Sequence, residues 1–124
     1  MTPFDLERVF LSLNPSGMAV ELPGETFFER LEVAPTDMAY LVSVTSHRAD
    51  WPHWEMHPRG DEVLVLLEGR LEMVFDRDGA QTLHAFEAGQ TLIVPAGVWH
   101  RARVLEPGRM LGLTCGEGTE HRPL

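Results

Sequence analysis

Between residues 18 and 114 the chain repeats one pattern: a short apolar or alternating run, then a turn. The runs are MAVEL (18–22), FFERLEV (27–33), MAYLVSVT (38–45), HWEMH (53–57), EVLVLLE (62–68), RLEMVF (70–75), TLHAF (82–86), TLIVP (91–95), WHRARVL (99–105) and RMLGLT (109–114). Between them stand PGE, APTD, PRGD, EG, DRDGA, EAGQ, PAG and EPG. Turn residues in clusters this short join strands as hairpins. Ten such strands leave little room for anything but an all-β sandwich or barrel. One helical pattern precedes them. In TPFDLERVFLSLNPSG, Thr2 can cap a helix, Pro3 suits its first turn, and Asn14-Pro15 with Gly17 ends it. The expected organisation is a helical segment over 1–17 and a single β-barrel domain over 18–124.

A chain of 124 residues, 44% of them hydrophobic, suits one domain with one core. Its formal charge is −9 and no basic run appears, which argues against nucleic acid as a partner. No apolar run approaches the roughly 20 residues that span a bilayer, so no membrane partner is expected. The start, MTPFDLERVF, lacks the basic region and long apolar core of a signal peptide. The lone cysteine, Cys115, can form no internal disulfide and suits a reducing compartment, so the expected location is cytoplasmic. VLVLL (63–67) is apolar on both faces of a strand. One face fills the barrel; the other needs a cover, which a second copy in a homodimer or the N-terminal segment can supply.

The chemically dense stretch is WPHWEMHPRGDE, residues 51–62. Strand side chains alternate, so His53, Glu55 and His57 share one face and Trp54 and Met56 the other. Pro58-Arg59-Gly60-Asp61 reads as a hairpin turn that sets Glu62 beside His57. His100, just after the tight turn PAGVW, is a further candidate. Imidazole suits zinc, iron, nickel and copper, and carboxylate shifts the preference toward iron, manganese and other hard ions. Two histidines and two glutamates would neutralise a divalent ion and leave open positions for water, O₂ or substrate.

These residues resemble the motifs of the cupin superfamily, small antiparallel double-stranded β-helix (jelly-roll) barrels. The first cupin motif, G-x₅-H-x-H-x₃₋₄-E-x₆-G, matches EMHPRGDEVLVLLEG through His57, Glu62 and Gly69. The second, G-x₅-P-x-G-x₂-H-x₃-N, matches GQTLIVPAGVWHRARV through Gly89, Pro95, Gly97 and His100. Glu55 stands where the first motif has a histidine, and Val104 where the second has an asparagine. The resemblance implies an Fe, Mn, Zn or Ni site held by His57, Glu62 and His100, with Glu55 as fourth ligand. His53 is one strand step early on the same face, where it could substitute as a ligand, support one, or face the barrel mouth. If not ligated, Glu55 or His53 could serve as a catalytic base.

The other aromatic and polar residues read more plainly. Trp54 and Trp99 have the opposite parity to the ligands and suit packing, with Arg101 and Arg103 outside the barrel beside Trp99. Trp51 could wall a ligand site, and Tyr40 is either a cavity residue or structural. His84 and Cys115 read as ordinary strand residues. In TCGEGTEHRPL, His121 and Arg122 either fold back over a barrel opening or fray. The resemblance implies a metal-dependent enzyme, of dioxygenase, isomerase or lyase type, for a small oxygen-rich substrate inside the barrel. A non-catalytic sensor acting through a protein partner is the alternative. A metal-free sugar-nucleotide epimerase type fits less well, because no basic cluster is evident for a pyrophosphate.

Overall fold

Nine antiparallel strands and one 3-10 helix, Gly24–Glu29, make up the regular structure of the described residues. The strands are β1 (Val9–Leu13), β2 (Ala19–Pro23), β3 (Tyr40–His47), β4 (His53–Met56), β5 (Glu62–Arg77), β6 (Ala80–Glu87), β7 (Thr91–Val94), β8 (Trp99–Thr114) and β9 (Glu120–Pro123). The structure is a computed structural model and describes residues 2–31 and 34–124.

The two long strands, β5 and β8, pair along their whole length, from Val63 opposite Leu113 to Asp76 opposite Trp99. Each half has a different outer neighbour. The first half of β5 pairs with β7 and the second with β6. The second half of β8 pairs with β3 and the first with β4. The order is therefore β2-β1-β3-β8-β5-β7 on one layer and β9-β4-β8-β5-β6 on the other. This is the expected all-β jelly-roll barrel. Its inward faces form the main core, with Leu64, Leu66, Leu71, Met73, Phe75, Ala102 and Met110 buried. A second cluster of Phe10, Leu22, Phe27 and Leu41 closes the end under the β1–β2 hairpin.

Both long strands bend where they pass between layers, and register shifts lie between Leu66 and Leu71. The backbones approach so closely there that side chains are excluded. A Cβ on Gly108 would lie 1.9 Å from the Glu68 carbonyl oxygen, and one on Gly69 would lie 2.5 Å from that of Pro107. Gly69 also has φ +87°, a conformation that favours glycine. The motif glycine at 69 is thus a packing requirement of the fold.

Several expectations change. The start is not a helix: residues 9–13 form β1, the centre of a β2-β1-β3 arrangement. Phe10 and Ser12 point inward and Val9, Leu11 and Leu13 are half-buried, a period of two that the strand fits better than a helix. The strand expected over 27–33 is a 3-10 helix as far as Glu29, and its residues 32 and 33 lie outside the described residues. The runs 62–68 and 70–75 are one strand, as are 99–105 and 109–114, because the intervening Gly69 and Pro107-Gly108 bend strands without ending them. PRGD is not a hairpin turn either. β4 and β5 do not pair; the turn carries the chain from one layer to the other.

Gly108→Ala is expected to cost about 3 kcal/mol of unfolding free energy by overpacking. Gly79→Ala, with open space around it and φ +87°, should cost about 1–2 kcal/mol. Denaturant midpoints measure both, and equal losses would contradict this account of the crossing.

Candidate metal centre

Glu55, His57, Glu62 and His100 converge inside one end of the barrel. Each comes from a different local cause. Glu55 is directly opposite His100 in the β4–β8 pairing. His57 follows β4 on the same inward parity as Glu55, and its carbonyl accepts from the Gly97 amide, tying the PAG turn to it. Glu62 opens β5 in the facing layer, at 5% exposure. It meets His57 across the interior, not along a hairpin.

The distances are short. His57 Nε2 lies 2.9 Å from Glu55 Oε1 and 3.3 Å from Glu62 Oε2. His100 Nε2 lies 3.3 Å from Glu62 Oε1. One ligand atom each from Glu55, His57 and His100 falls within 4.8 Å of the others.

The tautomers follow from hydrogen bonding. The Thr119 hydroxyl donates its single proton to the Gly116 carbonyl at 2.8 Å. It can therefore only accept at His57 Nδ1, also at 2.8 Å, so Nδ1 carries a proton. His100 Nδ1 faces the Val98 carbonyl at 3.0 Å, which accepts only, so it too is protonated. In both rings the second nitrogen, Nε2, is the one turned to the carboxylates. His57 Nε2, His100 Nε2 and Glu62 Oε1 are buried and lack a hydrogen bond. Buried polar atoms are ordinarily satisfied. Such atoms, aimed at one point by rings locked through their far nitrogens, are what a metal centre requires. The residues present fit a divalent transition metal. The remaining Glu62 oxygen accepts from Thr114 Oγ1 at 2.6 Å, which fixes the carboxylate plane.

Electrostatics agree. Burial alone disfavours charge on His57, but the Glu55 and Glu62 carboxylates beside Nε2 outweigh this and raise its pKa to about 9. Burial likewise opposes charge on Glu62, yet His100 and His57 hold its pKa at about 2.

The centre opens on a cavity of about 300 Å³. Leu41, Trp51, Leu64 and Met110 give it apolar walls, and Ser43, Thr45, His47 and Thr114 give it polar points. Trp51 Nε1 donates to His47 Nδ1 at 3.2 Å. His47 Nε2 must then carry the proton and donate to Thr45 Oγ1 at 2.8 Å, leaving the Thr45 hydroxyl proton for another acceptor. Burial lowers the His47 pKa against the raising effect of Glu55, so the ring stays neutral.

Other sequence candidates fall into place. His53 lines the cavity but its ring meets His121, at 4.7 Å between centroids. The tail does not fray: β9 pairs with β4, with Trp54 opposite Arg122 and Glu55 opposite His121. Arg122 stacks over Trp54 and Trp99 and donates to Asp76 at 2.8 Å, while Arg101 covers Trp54. These aromatics face away from the centre, as their parity implies. Tyr40 and Cys115 pack near Gly60, and His84 packs on Phe75. Sequence reasoning missed His47, Thr45, Thr114 and Thr119. His47 and Thr45 share the inward parity of Leu41 and Ser43, so extending that strand by two residues would have found His47. Nothing local marks Thr119, which lies 62 residues from the histidine it orients.

The cupin domain family model matches residues 31–114. No curated protein matches the sequence. Among solved structures, a cupin-2 domain protein from Shewanella frigidimarina aligns at 24% identity and TM-score 0.54, over 67% of this chain and 76% of that one. Hydroxypropylphosphonic acid epoxidase from S. wedmorenis aligns at 17% identity and TM-score 0.53, over 61% of this chain and 43% of that one. Bacillus subtilis oxalate decarboxylase, described with Mn(II) centres, aligns at 17% identity and TM-score 0.58, over 71% of this chain. This chain spans less than half of the epoxidase and 24% of the decarboxylase. At these identities the likeness is one of fold.

A pH dependence follows from the two shifts. Folded His57 keeps its proton to about pH 9 against 6.5 unfolded, so its stabilising contribution is full below 6.5 and lost by 9. Folded Glu62 sits at about 2 against 4.5, so its contribution is full above 4.5 and lost as pH falls through 2. Chelator-treated protein should therefore be most stable, as far as this pair decides, between pH 4.5 and 6.5. An ion at His57 Nε2 must displace the proton, so metal affinity should rise with pH up to about 9. Titration calorimetry in buffers of different ionisation enthalpy measures the released proton; pH-independent affinity between 6.5 and 9 would contradict it.

Proposed function

This chain belongs to the cupin family, and on that premise we propose that it is a metal-dependent enzyme for a small, oxygen-bearing organic substrate bound in the barrel cavity. The observation that carries this reading is the convergence of His57 Nε2, His100 Nε2 and Glu62 Oε1, buried and without hydrogen bonds, on one point beside that cavity. Glu55 completes the set as a second carboxylate, in place of the motif histidine. Two imidazoles and two carboxylates balance a divalent ion and favour iron or manganese over a purely thiophilic metal. The epoxidase has been studied in Fe(II) and Co(II) forms and the decarboxylase with Mn(II), which supports the same class of ion here. A bound ion of this kind supplies Lewis acidity toward a coordinated substrate oxygen.

The chain's own groups do the selecting. Among the described residues no arginine lines the cavity, and the sequence has no lysine. A strongly anionic substrate finds no counter-charge there, so the substrate class is a neutral or singly charged enol, diol or hydroxy-carbonyl compound. Thr45, held by His47, offers a donor to a substrate oxygen. Leu41, Leu64, Met110 and Trp51 exclude water from the carbon skeleton. Glu55, 23% exposed at the cavity wall, is the carboxylate placed to take a substrate proton when it is not held by the ion.

Metal analysis of protein reconstituted with iron or manganese tests the reading. His57→Ala/His100→Ala should hold about one equivalent less than the wild type, because open sites of this ligand number bind tightly. Equal metal content in the two proteins would overturn it.

We also propose that the active form is a homodimer. On the outer face of the first layer, Ile93, Val63, Leu113, Val42 and Leu11 stand side by side across five strands in one apolar row. Ile93 is 57% exposed at its edge, so the N-terminal segment does not cover it. A second copy, applying the same row, would bury it. Sedimentation should show a dimer that Ile93→Glu shifts toward monomer; a monomeric wild type would contradict the proposal.

A further inference from the structure

Beyond that centre, we propose a second cation site at the cavity mouth, formed by His53, Glu55 and His121. One ligand atom from each lies within 4.8 Å of the other two. The register explains the grouping. His121 on β9 is the direct cross-strand neighbour of Glu55 on β4, and His53 is two residues along β4 on the same face. Cross-strand neighbours place their Cβ atoms about 5 Å apart, close enough for two side chains to share an ion. The His53 and His121 rings meet edge to face, 4.7 Å between centroids. Among the described residues neither ring makes a hydrogen bond or an ion pair, so their nitrogens are uncommitted.

Two imidazoles and one carboxylate at the rim of the cavity form a three-ligand set with an open position for water. This chemistry suits a first-row divalent ion such as zinc. The histidine that breaks motif register, His53, thereby gains a role. So does the tail, which the inner centre uses only through Thr119. An ion here ties β9 to β4 and holds the strand whose approach places Thr119 on His57. Glu55 belongs to both ligand sets, with His57 and His100 on one side and His53 and His121 on the other. Its loss should therefore weaken both sites, whereas loss of His53 or His121 should weaken one.

Zinc titration of chelator-stripped protein, read by equilibrium dialysis with elemental analysis, tests this. The wild type should take up two equivalents, His53→Ala and His121→Ala one each, and Glu55→Gln should lower affinity for both. Cobalt substitution supplies a spectroscopic check: the visible bands that appear with the second equivalent should be missing in His121→Ala. His121 is exposed, so this variant should fold. If His53→Ala and His121→Ala bind as much zinc as the wild type, at whatever stoichiometry, the outer site is overturned. The inner centre is judged separately by His57→Ala/His100→Ala, which should lose an equivalent while keeping the one that depends on His121.

Discussion

Two carboxylates and two imidazoles sit together inside a barrel end, and the surrounding structure is arranged to make that tolerable. Glu62 is 5% exposed, His57 4% and His100 0%. Charges so far from water are costly unless paired and hydrogen-bonded. Here the pairing is nearly complete on the outer atoms: Thr119 and the Val98 carbonyl take the Nδ1 protons, and Thr114 holds one Glu62 oxygen. Three of the atoms left unsatisfied among the described residues, His57 Nε2, His100 Nε2 and Glu62 Oε1, point inward to one place. The protein thus uses stability to hold a preorganised ligand set, and a proton on His57 serves as the counter-charge when no ion does.

The scaffold follows from this need. β5 and β8 each run through both layers, so residues near the start of β5 and the start of β8 approach β4 from different sides. The crossing demands that Gly69 and Gly108 press against the backbone of Pro107 and Glu68, where neither glycine position admits a Cβ. The C-terminal strand then closes the mouth. Arg122, between Trp54 and Trp99 and bonded to Asp76, anchors it, and Thr119 and His121 are delivered as a consequence.

Much of this was legible in the sequence. The β-class came from strand-length apolar runs between turn residues, and the resemblance to the cupin motifs singled out His57, Glu62, His100 and Glu55, which the fold brings together. The errors have physical causes. The first segment carries good helix-capping residues, yet Phe10 and Ser12 bury on alternate positions because β3 offers an edge to pair with. Glu62 was assigned to the right cluster by the wrong route, since a four-residue connection can cross a barrel as readily as it can close a hairpin. Thr119 and Thr114 were invisible because a hydroxyl acquires its role from tertiary contact alone.

The central claim is that His57 and His100 each carry a proton on Nδ1 and present Nε2 to a metal. Long-range ¹H–¹⁵N NMR of the histidine rings, recorded with saturating zinc, measures this directly. The account predicts that His57 and His100 show protonated Nδ1 and zinc-shifted Nε2 resonances. Rings at 57 and 100 that carry their proton on Nε2, or that do not respond to zinc, would contradict it.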